Sequence, residues 1–106
     1  MPTQFVYIWR YEVRPECLAE FESRYGNHGD WVRLFRRHPG YISTGLLRDT
    51  TNRNCYWTLD KWRSRADHAE FQTQFAKEFI EIDRACEALT REETHIGDFE
   101  ALLEEG

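Results

Sequence analysis

From Gln4 to Val13 the side chains alternate, with Phe5, Tyr7, Trp9 and Tyr11 on one face and Val6, Ile8, Arg10 and Glu12 on the other. A period of two predicts a strand, and apolar residues on both faces near its start predict a central strand covered on both sides. Pro15 suits the first turn of a helix, along which Leu18, Phe21 and Tyr25 recur at helical spacing until Gly26 ends it. After Asn27-His28-Gly29, Asp30 is expected to cap a short second helix that shows Trp31, Leu34, Phe35 and His38 on one side and stops at Pro39-Gly40.

Two strands are expected next, Tyr41 to Asp49 and Asn54 to Trp62, with Thr50-Thr51-Asn52-Arg53 as the hairpin loop. Ser64 with Asp67 three residues on has the form of a capping box and opens the longest predicted helix. His68, Phe71, Phe75, Phe79, Ile82, Cys86 and Leu89 form one continuous stripe along it, the face expected to meet the sheet. A last strand is expected from Glu93 to Glu100, followed by an acidic tail, Glu104-Glu105-Gly106. The order β, broken α, β, β, α, β is the ferredoxin-like βαββαβ pattern, an α+β fold with a four-stranded antiparallel sheet. Helices on one face leave the other face, with Val6, Ile8, Leu47, Trp57 and Leu59, in need of cover. At ~25 cal/mol per Å² even a few hundred Å² of such surface amounts to several kcal/mol, so a homodimer with the two sheets face to face is expected.

Composition narrows this picture. A chain of 106 residues is one domain, residues 1–106, and 15% aromatic content exceeds what a thin two-layer core needs, so some rings are expected to face a pocket or a partner subunit. A mean hydropathy of −0.76 and the lack of a long apolar run argue against a membrane span, and no signal peptide is visible at Met1-Pro2-Thr3-Gln4. A net charge of −5 disfavours nucleic acid, and the basic cluster Arg33, Arg36 and Arg37 reads as a solvated helix face. Cys17, Cys55 and Cys86 are odd in number and widely spaced, which reads as reduced thiols in a cytoplasmic protein. No paired-His, His-Glu or phosphate-cradling glycine pattern is present, so no metal or nucleotide cofactor is expected.

Tyr25-Gly26, Trp31, Leu34-Phe35, Pro39-Gly40-Tyr41, Thr44, Leu46-Leu47-Arg48-Asp49, Tyr56, Asp60, Trp62, Ser64, Phe71, Asp83, Cys86-Glu87, Leu89-Thr90, Glu93 and Gly97 with Phe99 together resemble the antibiotic biosynthesis monooxygenase (ABM) family of the dimeric α/β-barrel superfamily. The resemblance implies a pocket between sheet and helices in each subunit. By strand parity Tyr7, Trp9, Leu46, Arg48, Tyr56, Thr58, Asp60 and Trp62 are expected to line it, faced by His68, Phe71 and Phe75. Members that oxidise aromatic polyketides without a cofactor use an Asn, a Trp and Tyr residues on a phenolic substrate. Trp62 matches that Trp, whereas Thr58 replaces the Asn and Leu46 and His68 replace two Tyr. The positions that haem-degrading relatives use fall near Trp9, Phe71 and Ile80, so the axial ligand is missing.

The activity implied is cofactor-independent monooxygenation of a small phenolic, quinol or anthrone-type substrate, with no cofactor. His68 is the expected proton acceptor and Trp62 the expected donor to the substrate oxygen, the two catalytic candidates. Against the base role stands a His68 that merely hydrogen-bonds backbone or Asp60, and against a ligand role for Arg48 and Asp60 stands a cross-strand ion pair. A non-catalytic small-molecule binding module and an O2-independent isomerase or lyase are the alternative functions.

Overall fold

The computed structural model describes residues 3–102, so the acidic tail at Glu104-Glu105-Gly106 lies outside the described residues. Four strands, β1 (Gln4–Val13), β2 (Tyr41–Arg48), β3 (Cys55–Trp62) and β4 (Thr90–Ala101), form one antiparallel sheet in the order β2-β3-β1-β4. That order is the ferredoxin-like arrangement, with β1 and β3 central. Helices α1 (Leu18–Tyr25), α2 (Asp30–Phe35), α3 (Arg65–Gln74) and α4 (Ala76–Cys86) make the second layer. Among the described residues no helix is long and apolar enough to cross a membrane.

The register sorts the sheet into rows. On the helix-facing side they run Tyr41–Trp62–Phe5–Glu100, Thr44–Asp60–Tyr7–Asp98, Leu46–Thr58–Trp9–His95 and Arg48–Tyr56–Tyr11–Glu93. Phe5, Tyr7, Tyr11, Tyr56 and Trp62 from these rows join Phe21, Tyr25, Trp31, Phe35 and Phe71 in one buried aromatic core. On the opposite side the rows are Ser43–Lys61–Val6–Phe99, Gly45–Leu59–Ile8–Gly97 and Leu47–Trp57–Arg10–Thr94. None of the described residues packs over this apolar face as a layer, and Leu47 and Phe99 are 53% and 43% exposed. The Phe99 ring lies over Gly97, where an added Cβ would meet its Cζ at 3.0 Å.

Three local expectations are corrected. Gly29, not Asp30, occupies the cap position of α2, because the Asp30 carboxylate is drawn to Arg24 at 2.7 Å and Arg33 at 2.6 Å. The long helix is two, broken at Phe75, whose φ of −114° and ψ of 25° are not helical. Unbroken from Arg65 to Cys86 it would run ~33 Å, beyond the ~27 Å of an eight-residue strand, and the break redirects α4 toward α2. There Phe79 meets Trp31 edge-on at 4.9 Å. The third correction concerns β4, which begins at Thr90 and not at Glu93, its extra length taken up by bulges opposite Ile8/Trp9 and Glu12/Val13.

Other expectations stand. Ser64 caps α3 by accepting from the Asp67 amide at 3.0 Å. Arg33 and Arg37 are exposed, paired with Asp30 and Glu78. Cys17, Cys55 and Cys86 are free thiols. The turn between α1 and α2 leaves no room for a side chain, since a Cβ on Gly29 would sit 2.2 Å from the Arg24 carbonyl oxygen. Gly29→Ala is therefore expected to lower stability by about 1–3 kcal/mol in urea titrations, through displacement of the α1–α2 connection.

Candidate active site

Large rings at the margins of the two layers and short polar side chains at the centre leave a cavity of ≈ 670 Å³ between sheet and helices. Its floor is the middle of the sheet, with Phe5, Tyr7, Trp9, Tyr11, Thr44, Thr58 and Asp60, and its roof includes His68, Ala69, Gln72, Phe79 and Asp83. The size is that of pockets holding small organic ligands.

Asp60 is the chemical centre. It is a carboxyl only 5% exposed, on β3, directly across from Tyr7 on β1. Its Oδ1 accepts a hydrogen bond of 2.6 Å from the Thr44 hydroxyl, which in turn lies 2.6 Å from the Tyr41 hydroxyl. No described residue hydrogen-bonds Oδ2. Burial among aromatic rings raises its pKa to about 7, and the Thr44 bond, which favours the ionised form, only partly opposes the shift. Tyr7 keeps its proton, since burial first and the Asp60 carboxylate second push its pKa well up. The Trp62 indole donates to the Tyr7 oxygen at 3.4 Å, so the Tyr7 hydrogen is available to a ligand.

His68 closes the cavity above Tyr7, with ring centroids 4.6 Å from Tyr7, 5.1 Å from Trp62 and 5.6 Å from Phe5. Its ring bonds neither Asp60 nor the backbone of any described residue. Desolvation pulls its pKa down to about 4, slightly countered by Asp98 and reinforced by Arg65, so it is neutral at pH 7. Beyond it Asp98 takes His95 at 2.9 Å and Arg65 at 3.7 Å.

Of the residues expected at the site, Tyr7, Trp9, Thr58, Asp60 and His68 line the cavity. Trp62 lies behind Tyr7, fully buried, and Phe71 is likewise sealed in the core beneath α3. Phe75 packs on Phe71 at 5.4 Å under the Arg37 guanidinium. Leu46 sits against the core at the β2 edge. Tyr56 donates to Glu22, and Arg48 lies over the Tyr56 ring and reaches Glu22 at 3.6 Å. The Arg48–Asp60 ion pair does not form, because the register sets Arg48 across from Tyr56 and Thr44 across from Asp60. Sequence reasoning missed Thr44, Tyr41, Asp83 and Glu93 as site neighbours. Thr44 was legible in principle, since it has the parity of Leu46 and Arg48, whereas Tyr41 reaches the same face only through the irregularity at Ile42.

The sequence profile described as Antibiotic biosynthesis monooxygenase matches residues 4–81. No curated protein matches the chain. Among solved structures, SnoaB from Streptomyces nogalater, described as a cofactor-independent oxygenase, is 26% identical over 96% of each chain with a TM-score of 0.74. An asparagine-to-alanine variant of that protein gives 0.75 at the same identity and coverage. A Nitrosomonas europaea protein superposes with a TM-score of 0.74 at 13% identity, over 100% of this chain and 97% of that one, a likeness of fold.

Asp60 also sets a pH dependence of stability. A carboxyl whose folded pKa is raised to about 7 holds its proton more tightly folded than unfolded. Its contribution is full below the unfolded value near 4 and is lost as pH rises through about 7. Asp60→Asn is expected to gain on the wild type by roughly 2–4 kcal/mol between about pH 4 and pH 8, read from denaturant midpoints at each pH.

Proposed function

From the premise that this chain belongs to the antibiotic biosynthesis monooxygenase family, we propose that it is a cofactor-independent monooxygenase for a small phenolic, quinol or anthrone-type aromatic. The observation that carries this reading is the buried Asp60 carboxyl beside the Tyr7 hydroxyl on the floor of an aromatic cavity. The description of SnoaB as a cofactor-independent oxygenase supports it.

In this reading Asp60 Oδ2 takes the acidic proton of the substrate, and Tyr7 donates a hydrogen bond to the oxyanion that develops. Trp62 fixes the Tyr7 hydroxyl from behind, so it acts through Tyr7. Asp60 has the higher proton affinity of the two candidate bases, which favours it over His68. His68, Phe5 and Trp9 keep water away from the electron-rich carbon. That carbon reduces O2 and forms a C–O bond. The resulting peroxide anion recovers the proton from Asp60, and loss of the remaining proton on that carbon as the O–O bond breaks releases hydroxide, leaving a carbonyl and one water. The methylene of an anthrone thus becomes the carbonyl of a quinone for each O2 consumed.

Dithranol (1,8-dihydroxy-9-anthrone) tests the reading directly. Oxygen-electrode traces, corrected for autoxidation, are expected to show uptake that rises with pH through about 7 as Asp60 ionises. Asp60→Asn should reduce the rate by about 100-fold or more, and Tyr7→Phe by about tenfold. An undiminished rate in Asp60→Asn would overturn the assignment of the base. Tight binding of the anthrone without oxygen uptake would point to the non-catalytic binding module instead.

We further propose that the protein works in the cytoplasm as a homodimer, with the open sheet faces of two copies packed together. The apolar surface of Leu47, Leu59, Ile8, Val6 and Phe99 supports this, and Gly45 at the β2 end of the central row leaves room for close approach. Leu47→Glu with Phe99→Glu is expected to convert a dimer to a folded monomer in sedimentation velocity. A wild-type protein that sediments as a monomer would refute the pairing.

A further inference from the structure

The cavity is strongly one-signed. Among the described residues, Asp60, Asp83, Glu93 and Asp98 contribute four carboxyls to its lining, whereas Arg65 is the only guanidinium there. Arg65 stands at the end near Phe5 and is directed to Asp98 at 3.7 Å. At the opposite end Glu93 lies across from Tyr11 on the neighbouring strand, and Asp83 projects from α4. Neither of these two carboxylates makes an ion pair with any described residue. Partial burial, then the nearby Asp83 and Glu87 charges, push the Glu93 pKa up.

The walls at this end are aromatic. Tyr11 meets Tyr25 edge-on at 5.1 Å, Tyr25 lies 6.1 Å from Trp31, and Trp31 meets Phe79 edge-on at 4.9 Å. Aromatic rings beside unpaired carboxylates form the standard surroundings of an organic cation, and the carboxylates would repel an anion. A second and independent feature of the same cavity points to a ligand: Asp60, 5% exposed, offers an Oδ2 that no described residue engages. Four residue steps along β1 separate Tyr7, beside Asp60, from Tyr11, beside Glu93, which sets the two ends ~13 Å apart.

We propose that this cavity takes a cationic aromatic, with an acidic hydroxyl at Asp60 and a protonated amine at the far end between Asp83 and Glu93. The inference rests on the oxygenase reading only for the role of the hydroxyl end. It adds a charge preference to the substrate class: an amine-bearing polyphenol is favoured, a neutral one is accepted less well, and a carboxylated one is rejected.

The test is equilibrium binding under nitrogen, by isothermal titration, of three 1-hydroxyanthraquinones that carry an aminomethyl, a methyl or a carboxyl group on the distal ring. The wild type is expected to bind the aminomethyl probe about tenfold more tightly than the methyl probe, and the carboxyl probe at least as much more weakly. The aminomethyl advantage should shrink as salt is raised. In Asp83→Asn with Glu93→Gln, both exposed positions, the aminomethyl and methyl probes should bind alike. Equal binding of those two probes to the wild type, or an advantage retained in the double variant, would overturn the proposal. Because no turnover is involved, a selective cation site without oxygen uptake on dithranol would leave this inference standing and remove the oxygenase reading. Oxygen uptake with no charge preference would do the reverse.

Discussion

The pairing of β1 with β3 is the constraint on which the rest of the molecule depends. It sets Tyr7 across from Asp60, Trp9 across from Thr58 and Phe5 across from Trp62, so that ring, carboxyl and indole share one face. A slip of one residue would bring Val6 or Ile8 over Asp60 and turn Tyr7 toward the open face. The aromatic–aromatic pairs Phe5–Trp62 and Tyr11–Tyr56 at the two ends oppose such a slip, because each must remain on the helix side to be buried. The acidic centre is thus held by the rings that flank it along the strands, with Thr44 its one direct hydrogen-bond partner among the described residues.

The same rings explain why there is a cavity. Trp62 is hemmed in by Phe35 at 5.7 Å, Tyr41 at 5.5 Å and Phe71 at 4.9 Å, which closes the core on the β2 side. Further along β3 the floor carries Thr58 and Asp60, too short to reach the helices, and the roof carries His68, Ala69 and Gln72. Space remains where short polar residues face one another between tightly packed aromatic margins. A buried carboxyl costs stability there unless it takes up a proton or finds a partner. Asp60 meets that cost by proton uptake, with Thr44 as a single compensating bond, and the same property fits it to exchange a proton with a ligand.

Strands, their order and the helix-facing parity of Tyr7, Trp9, Thr58 and Asp60 were legible in the sequence, because period-two alternation of large rings leaves little freedom over which face is buried. The break at Phe75 was not, since the apolar stripe runs through it unchanged and no Gly or Pro marks it. Parity names a face but not a depth, which is why Phe71, Tyr56 and Trp62 share the expected side and are sealed into the core instead of lining the cavity. The roles of His68 and Asp60 depend on desolvation, a property of the assembled layers. A histidine near the start of a helix and an aspartate near the end of a strand carry no local sign that one is held near 4 and the other near 7.

The two ends of the cavity act through different physics, and this makes them separable. The shift at Asp60 comes from burial, with only the Thr44 hydrogen bond opposing it, and no other carboxylate contributes. The shift at Glu93 also begins with burial but is reinforced by Asp83 and Glu87. Across ~13 Å, longer than the ~8 Å over which physiological salt screens exposed charges, the outer acids have little leverage on the proton affinity of the inner one. Charge selection at the mouth and proton transfer at the floor can therefore vary independently on one scaffold. A substitution at the outer end can change which ligand is admitted while Asp60, Thr44 and Tyr7 keep the geometry that the β1–β3 and β2–β3 pairings impose.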